Sequence, residues 1–127
     1  MFIAAKRLIV LVVEDDFLLR MGASEMIEGA GFEALEAGNA AEAIAILEVR
    51  TDICVVFTDI QMPGSMDGLK LAAAVKDRWP PIRIIATSGR YFIRHGDLPE
   101  GALFLPKPYT SEGVSNSLRE LTGSACC

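Results

Sequence analysis

Apolar residues along this chain keep two rhythms. Short unbroken runs rich in β-branched side chains alternate with longer stretches in which apolar positions return every third and fourth residue. The runs suit strands buried on both faces, and the spaced stretches suit helices with one buried face. Residues 8–13 form the first run. Leu19, Gly22, Ala23, Met26, Ile27 and Ala30 then repeat at helical steps, and Gly31 ends that helix in the manner of a C-terminal glycine. Residues 32–37 predict a short second strand. Asn39, with Glu42 three positions on, offers an N-cap for a second helix with the stripe Ala40, Ala43, Ile44 and Leu47, ending near Arg50.

The most emphatic run is 53–58. It closes on a carboxylate, Asp59, with a helix-breaking proline four positions later. Gly68, Leu71, Ala72, Val75 and Trp79 give the stripe of a third helix that stops before Pro80 and Pro81. Residues 82–86 predict a fourth strand and 103–105 a very short fifth. Val114, Ser117, Leu118 and Leu121 mark a last helix capped by Thr110 or Ser111, with Gly123 beyond its end. Strands alternating with helices predict right-handed βαβ units, a parallel sheet and an α/β fold. Between the fourth and fifth strands, Gly96, Asp97, Pro99 and Gly101 stand too close together for a full helix, so a short or irregular one is expected. His95, the only histidine, falls here and reads as a solvated loop residue.

Composition narrows the class. With 127 residues and 51% apolar content, the chain makes one domain with a proper core. Its 12 basic and 17 acidic residues give a formal charge of −5, which argues against direct binding of nucleic acid. No apolar stretch approaches the ~20 residues that span a bilayer, so no membrane association is expected. Cys54 lies in an apolar strand, and Cys126 and Cys127 are adjacent at the tail. Three cysteines in this pattern make no disulfide framework and point to a reducing, cytoplasmic compartment.

In an open parallel sheet, chemistry gathers at the carboxyl ends of the strands. There the first strand brings Glu14, Asp15 and Asp16, the third Asp59, the fourth Thr87 and Ser88, and the fifth Lys107 between Pro106 and Pro108. Each has a plainer reading. Asp59 alone could turn the chain, Asp16 suits an N-cap better than a metal ligand, Thr87 is a β-branched strand end and Phe104 a core residue. Together, clustered carboxylates call for a cation, and oxygen donors without His or Cys favour Mg²⁺. A hard ion beside an ammonium and a hydroxyl is a phosphoryl-binding arrangement, in which a central carboxylate can act as nucleophile.

Val-Val-Glu-Asp-Asp at 12–16, Asp-Ile-Gln-Met-Pro-Gly at 59–64, Met-Asp-Gly at 66–68, Ala-Thr-Ser at 86–88 and Leu-Pro-Lys-Pro at 105–108 together resemble the receiver domain of two-component response regulators. The resemblance spans nearly the whole chain, as a single receiver domain with a core from about 8 to 122 and a short tail over 123–127. It implies a flavodoxin-like, doubly wound sheet of five parallel strands in the order 2-1-3-4-5, flanked by five helices. It makes Asp59 the phosphoacceptor, Asp15 the direct Mg²⁺ ligand, Glu14 a ligand mainly through water, and Gln61 a ligand through its backbone carbonyl. Lys107 pairs with phosphoryl oxygens, and Thr87 and Phe104 form the switch pair. A cis bond at Pro106-Lys107 is also implied.

The implied partners are a sensor histidine kinase or histidine phosphotransfer protein and an unknown output partner, with the domain a monomer or a phosphorylation-dependent dimer. The resemblance implies a phosphoacceptor signalling domain rather than an enzyme, either a stand-alone receiver, acting as a phosphorelay intermediate or by binding a partner, or one cut from a longer protein, and the short tail favours the stand-alone case.

The sequence departs from the family pattern at three points. Ser65 adds a residue to the loop after Asp59, Phe104 lacks a tyrosine hydroxyl, and the glycine- and proline-broken segment before the fifth strand reshapes the usual output face. Gly89 leaves little cover over the site, so water is expected to reach Asp59 easily. A flavin or nucleotide module is disfavoured because Glu14 to Asp16 would repel an anion where its phosphate loop needs glycine. A metal-dependent aspartyl phosphatase would carry its nucleophile on the first strand. The nearest rival is a pseudo-receiver that binds partners without phosphorylation.

Overall fold

A computed structural model of the chain describes residues 7–62, 67–89 and 96–123. The elements run β1 (Ile9–Val13), α1 (Phe17–Gly29), β2 (Glu33–Ala37), α2 (Ala40–Val49), β3 (Ile53–Asp59), α3 (Gly68–Arg78), β4 (Arg83–Ser88), β5 (Leu103–Pro106) and α4 (Ser111–Thr122). The five strands form one parallel sheet in the order β2-β1-β3-β4-β5, as the resemblance implies.

Both faces of the sheet are covered. Ile9, Leu11 and Val13 of β1 face Leu47 of α2 and Leu71 and Val75 of α3, whereas Val10 and Val12 face Ile27 of α1 and Leu118 of α4. All five residues of β1 and all seven of β3 are buried, which is why both read as unbroken apolar runs rather than alternating ones. Between Ile9 and Val10 the partner on β3 skips from Ile53 to Val55, so Cys54 is the extra residue of a bulge. The bulge puts Cys54 and Val55 on the same face and resets the alternation that carries Asp59 to the site.

The helix ends follow their chemistry. Asp16 caps α1 by accepting from the Leu19 N–H, Asn39 caps α2 through Glu42, and Thr110, of the two candidates, caps α4 through Gly113. Gly31, with φ +98°, follows the C-cap of α1.

Several expectations need correction. Strands β3 and β4 run on to Asp59 and Ser88, because Asp59 and Thr87 still pair across the sheet. Leu19 is not on the buried stripe of α1 but 45% exposed, like Phe17 and Leu18 in the same first turn. Four helices stand among the described residues; 96–102 form turns, with Gly96 and Gly101 at positive φ, and the rest of the segment expected to hold a short or irregular helix lies outside the described residues. Cys54 is in a disulfide whose other half lies outside the described residues, so cysteine usage gives no argument for a reducing compartment. Ser65 and His95 also lie outside the described residues. No helix among the described residues is long and apolar enough to cross a membrane.

Candidate functional site

Register assembles the site. Val13 pairs with Thr58 and Asp59 with Thr87, so one step beyond β1 places Glu14 beside Asp59 at the carboxyl edge of the sheet. One carboxylate oxygen from each of Glu14, Asp15 and Asp59 falls within 4.8 Å of the others. Glu14 and Asp59 are buried, exposing 4% and 6%, while Asp15 is exposed. The carboxyl of Asp59 is therefore more enclosed than expected for a group that water reaches easily.

Lys107, delivered by the end of β5, closes the cluster. Its Nζ donates to Glu14 Oε1 at 2.9 Å and lies 3.4 Å from Asp59 Oδ1. The Lys107 N–H donates to the Ser88 carbonyl at 3.0 Å, tying the lysine to the end of β4. The cis peptide sits at Lys107-Pro108, not at Pro106-Lys107. Only the bond preceding a proline is a tertiary amide with a weak trans preference, so the correction follows from the chemistry of the imide.

Burial pushes the carboxyls of both Asp59 and Glu14 above their ordinary values. Lys107 pulls each back, while the Asp59 charge raises Glu14 further and the Asp15 charge raises Asp59. The Gln61 N–H also donates to the Asp59 carboxylate. Burial works against the Lys107 ammonium, but the Glu14 bond and the Asp59 charge outweigh it, so its pKa rises and its charge is secured.

The donors suit a hard divalent ion. An octahedral ion with bonds of about 2.0–2.1 Å brings its ligand oxygens within roughly 3–4 Å of one another, which the cluster can match. Both Glu14 oxygens are already engaged, Oε1 by Lys107 and Oε2 by the Asp16 N–H at 3.1 Å. Asp15, exposed and one residue on, is the freer acid. Asp16 spends its side chain as the cap of α1.

Thr87 is buried at 1% exposure, one strand from Asp59, and its carbonyl accepts from the Ile60 N–H at 2.9 Å. Phe104 is half-buried on β5 and pairs with Ala86, next to Thr87. Gln61 is exposed just past β3.

Three features escaped the sequence reading. Gly68 starts α3 directly under β3: its N–H donates to the Ile60 carbonyl at 2.8 Å, and a Cβ there would collide with the Asp59 carbonyl oxygen. The Met-Asp-Gly motif held that signal, since a glycine at a helix start invites the question of what lies against it. Tyr109 stacks edge-on against Phe57 at 5.5 Å and, with Leu18, Leu19, Met26 and Lys107, lines a largely apolar groove of about 470 Å³. Arg20 reaches back from α1 to the carbonyl of Glu14.

Comparison with known proteins agrees with this geometry. The sequence model of the response regulator receiver domain matches residues 10–118. The sensor kinase CckA of Brucella abortus is 33% identical over 118 residues, covering 88% of this chain and 12% of that protein. The DNA-binding transcriptional regulator NtrC of Escherichia coli is 36% identical over 112 residues, covering 82% and 22%. The chain thus spans under a quarter of the length of either relative. A response regulator receiver protein from Sinorhizobium medicae superposes with a TM-score of 0.87 at 23% identity, over 94% of this chain and 97% of that one, which speaks for the fold. The acid cluster at the sheet edge, the five-stranded order and the match over most of the sequence lead to one conclusion: this chain belongs to the response regulator receiver domains of two-component systems.

Proposed function

We propose that the chain is a Mg²⁺-dependent phosphoryl acceptor, with Asp59 as the nucleophile. The observation that carries this is the convergence of Glu14, Asp15, Asp59 and Lys107 at one point, from strands far apart in sequence. Asp15 would hold the ion directly, Asp59 and the Gln61 carbonyl would complete the protein ligands, and Glu14 would act mainly through water. The ion, when bound, neutralises charge on the phosphoryl oxygens. Lys107 holds another of those oxygens. The Asp59 carboxylate attacks phosphorus, the donor's bond to phosphorus breaks, and an aspartyl phosphate forms.

The donor is a histidine kinase, a histidine phosphotransfer protein or a small acyl phosphate. Phe17 and Leu18, 60% and 72% exposed on α1, offer apolar surface to a protein donor. Thr87 then turns toward the new charge, vacates space for Phe104, and repacks the β4–β5 side for an output partner. The domain thereby works as a switch or a phosphorelay intermediate rather than as an enzyme with turnover. A cytoplasmic location goes with cytoplasmic phosphodonors.

Incubation with acetyl phosphate and Mg²⁺, followed by intact-mass measurement, should label the wild type and not Asp59→Asn. Full labelling of the variant would move the acceptor elsewhere; an unlabelled wild type would leave the pseudo-receiver reading.

A further inference from the structure

The Arg20 guanidinium sits behind the acids. Its Nη1 donates to the Glu14 carbonyl oxygen at 2.8 Å and its Nε to Glu36 Oε1 on β2 at 3.1 Å. The other Glu36 oxygen accepts from the Ser24 hydroxyl at 2.9 Å, one helical turn further along α1. The cation also lies 5.6 Å from the centre of the Phe17 ring. Only 18% of the Arg20 side chain is exposed, while Glu36, its partner on β2, keeps 40% of its own side chain in solvent.

Glu14 is consequently held on every side. Its N–H donates to the Ala37 carbonyl at 3.1 Å, its carboxylate is taken by Lys107 and the Asp16 N–H, and its carbonyl is taken by Arg20. The peptide joining Glu14 to Asp15 is the one that Arg20 grips, and its plane sets the direction in which the exposed Asp15 side chain leaves the backbone. We propose that Arg20 is a positioning residue, fixing the Glu14-Asp15 peptide through its fork to Glu36 so that the two acids are aimed at the cation before it arrives.

Sign separates this from plain electrostatics. A positive guanidinium near a divalent ion repels it, so if charge were its whole contribution, neutralising Arg20 would tighten metal binding. A positioning role predicts the reverse, because disorganised ligands bind more weakly, and loss of an outer-shell partner typically weakens metal binding 10–100-fold.

The inference rests on the metal site of the preceding section, and Mn²⁺ titration followed by electron paramagnetic resonance of the free ion, with Mg²⁺ as competitor, tests the two separately. Arg20→Gln should weaken Mn²⁺ binding about tenfold, whereas Ser24→Ala, which leaves both Arg20 bonds in place, should stay within about twofold of wild type. Arg20→Lys keeps the charge without the fork and should also bind more weakly, and it takes over the test if Arg20→Gln does not fold. Equal or tighter binding by the folded Arg20 variant overturns the positioning role while leaving the site intact. So does an equal loss in Ser24→Ala, which would mean general loosening of α1 against β2. A wild type that binds no Mn²⁺ overturns the site itself.

Discussion

The two ends of the proposed signalling path are built to different standards. At the acid end, β1 and β3 are buried along their whole length, and Glu14 and Lys107 are each held by several bonds. On the β4–β5 side, the four residues of β5 are half-buried or exposed, Phe104 among them, and residues 96–102 lead into it as turns. Chemistry needs groups held within a fraction of an ångström, whereas a switch needs two packings of nearly equal energy. The contrast teaches where change should be felt: substitutions at the acid end should be costly, and those at the β5 side cheap.

Lys107 gives the largest expected effect. Lys107→Met would leave Glu14 and Asp59 as facing, buried carboxylates without their cation, and removing one partner of such a pair costs about 3 kcal/mol or more. The low end applies because 19% of the lysine side chain is exposed. Thermal unfolding in EDTA should show the loss, and excess Mg²⁺ should restore part of it. A loss under about 1 kcal/mol would place the pair among ordinary surface ion pairs and weaken the contrast.

Gly68→Ala comes next. The added methyl would meet the Asp59 carbonyl oxygen and sit 2.6 Å from the Ile60 Cα, both backbone atoms that cannot swing aside. Overpacking of this kind costs about 2 kcal/mol, and here the strain falls on the residues that aim Asp59. Chemical denaturation should report the stability loss, and slower acetyl phosphate labelling should accompany it. A variant as stable as wild type would show that the β3-to-α3 approach is looser than the geometry indicates.

Legibility in the sequence follows the same division. The fold was readable because β1 and β3 are buried on both faces and so appear as apolar runs, while caps such as Asp16 and Asn39 are local chemistry. The cluster of acids and lysine was readable because parallel strands bring their carboxyl ends to one edge. What escaped depends on contacts between distant residues. Arg20 reads as an ordinary surface helix arginine until Glu36 is seen on the strand beside it, and the need for Gly68 arises from the Asp59 backbone above it. The cis bond lies one residue beyond the implied position because a proline alters only the amide that precedes it, and the bond to Cys54 lies in no local pattern at all.

Phe104→Ala sharpens the comparison from the cheap side. A fully buried phenylalanine costs about 3–5 kcal/mol on truncation, but Phe104 is half-buried on a half-buried strand, so about 1 kcal/mol is expected. Equilibrium denaturation measures it directly. A cost as large as that of Lys107→Met would mean that the β5 side is packed as firmly as the acid end.

The smallest expected effect is a pH dependence that belongs to the acid end alone. Burial raises the Asp59 and Glu14 carboxyls above their ordinary 3.8 and 4.5, so the folded protein holds protons that the unfolded chain has already released. Unfolding free energy then falls as pH climbs from about 4 through the folded-state values, and levels off above them. Lys107 does not blur this window, because its raised pKa keeps its contribution whole below its ordinary 10.5 and gives it up only as pH rises above that. Asn at position 59 cannot ionise and escapes its share of the penalty. In EDTA, the melting temperature of Asp59→Asn should match wild type below about pH 4 and exceed it by a growing margin toward neutrality, and Mg²⁺ should close the gap by stabilising only the wild type. A margin that shrinks with rising pH would mean that Lys107 overcompensates for burial at Asp59, leaving the carboxylate at rest in its own site.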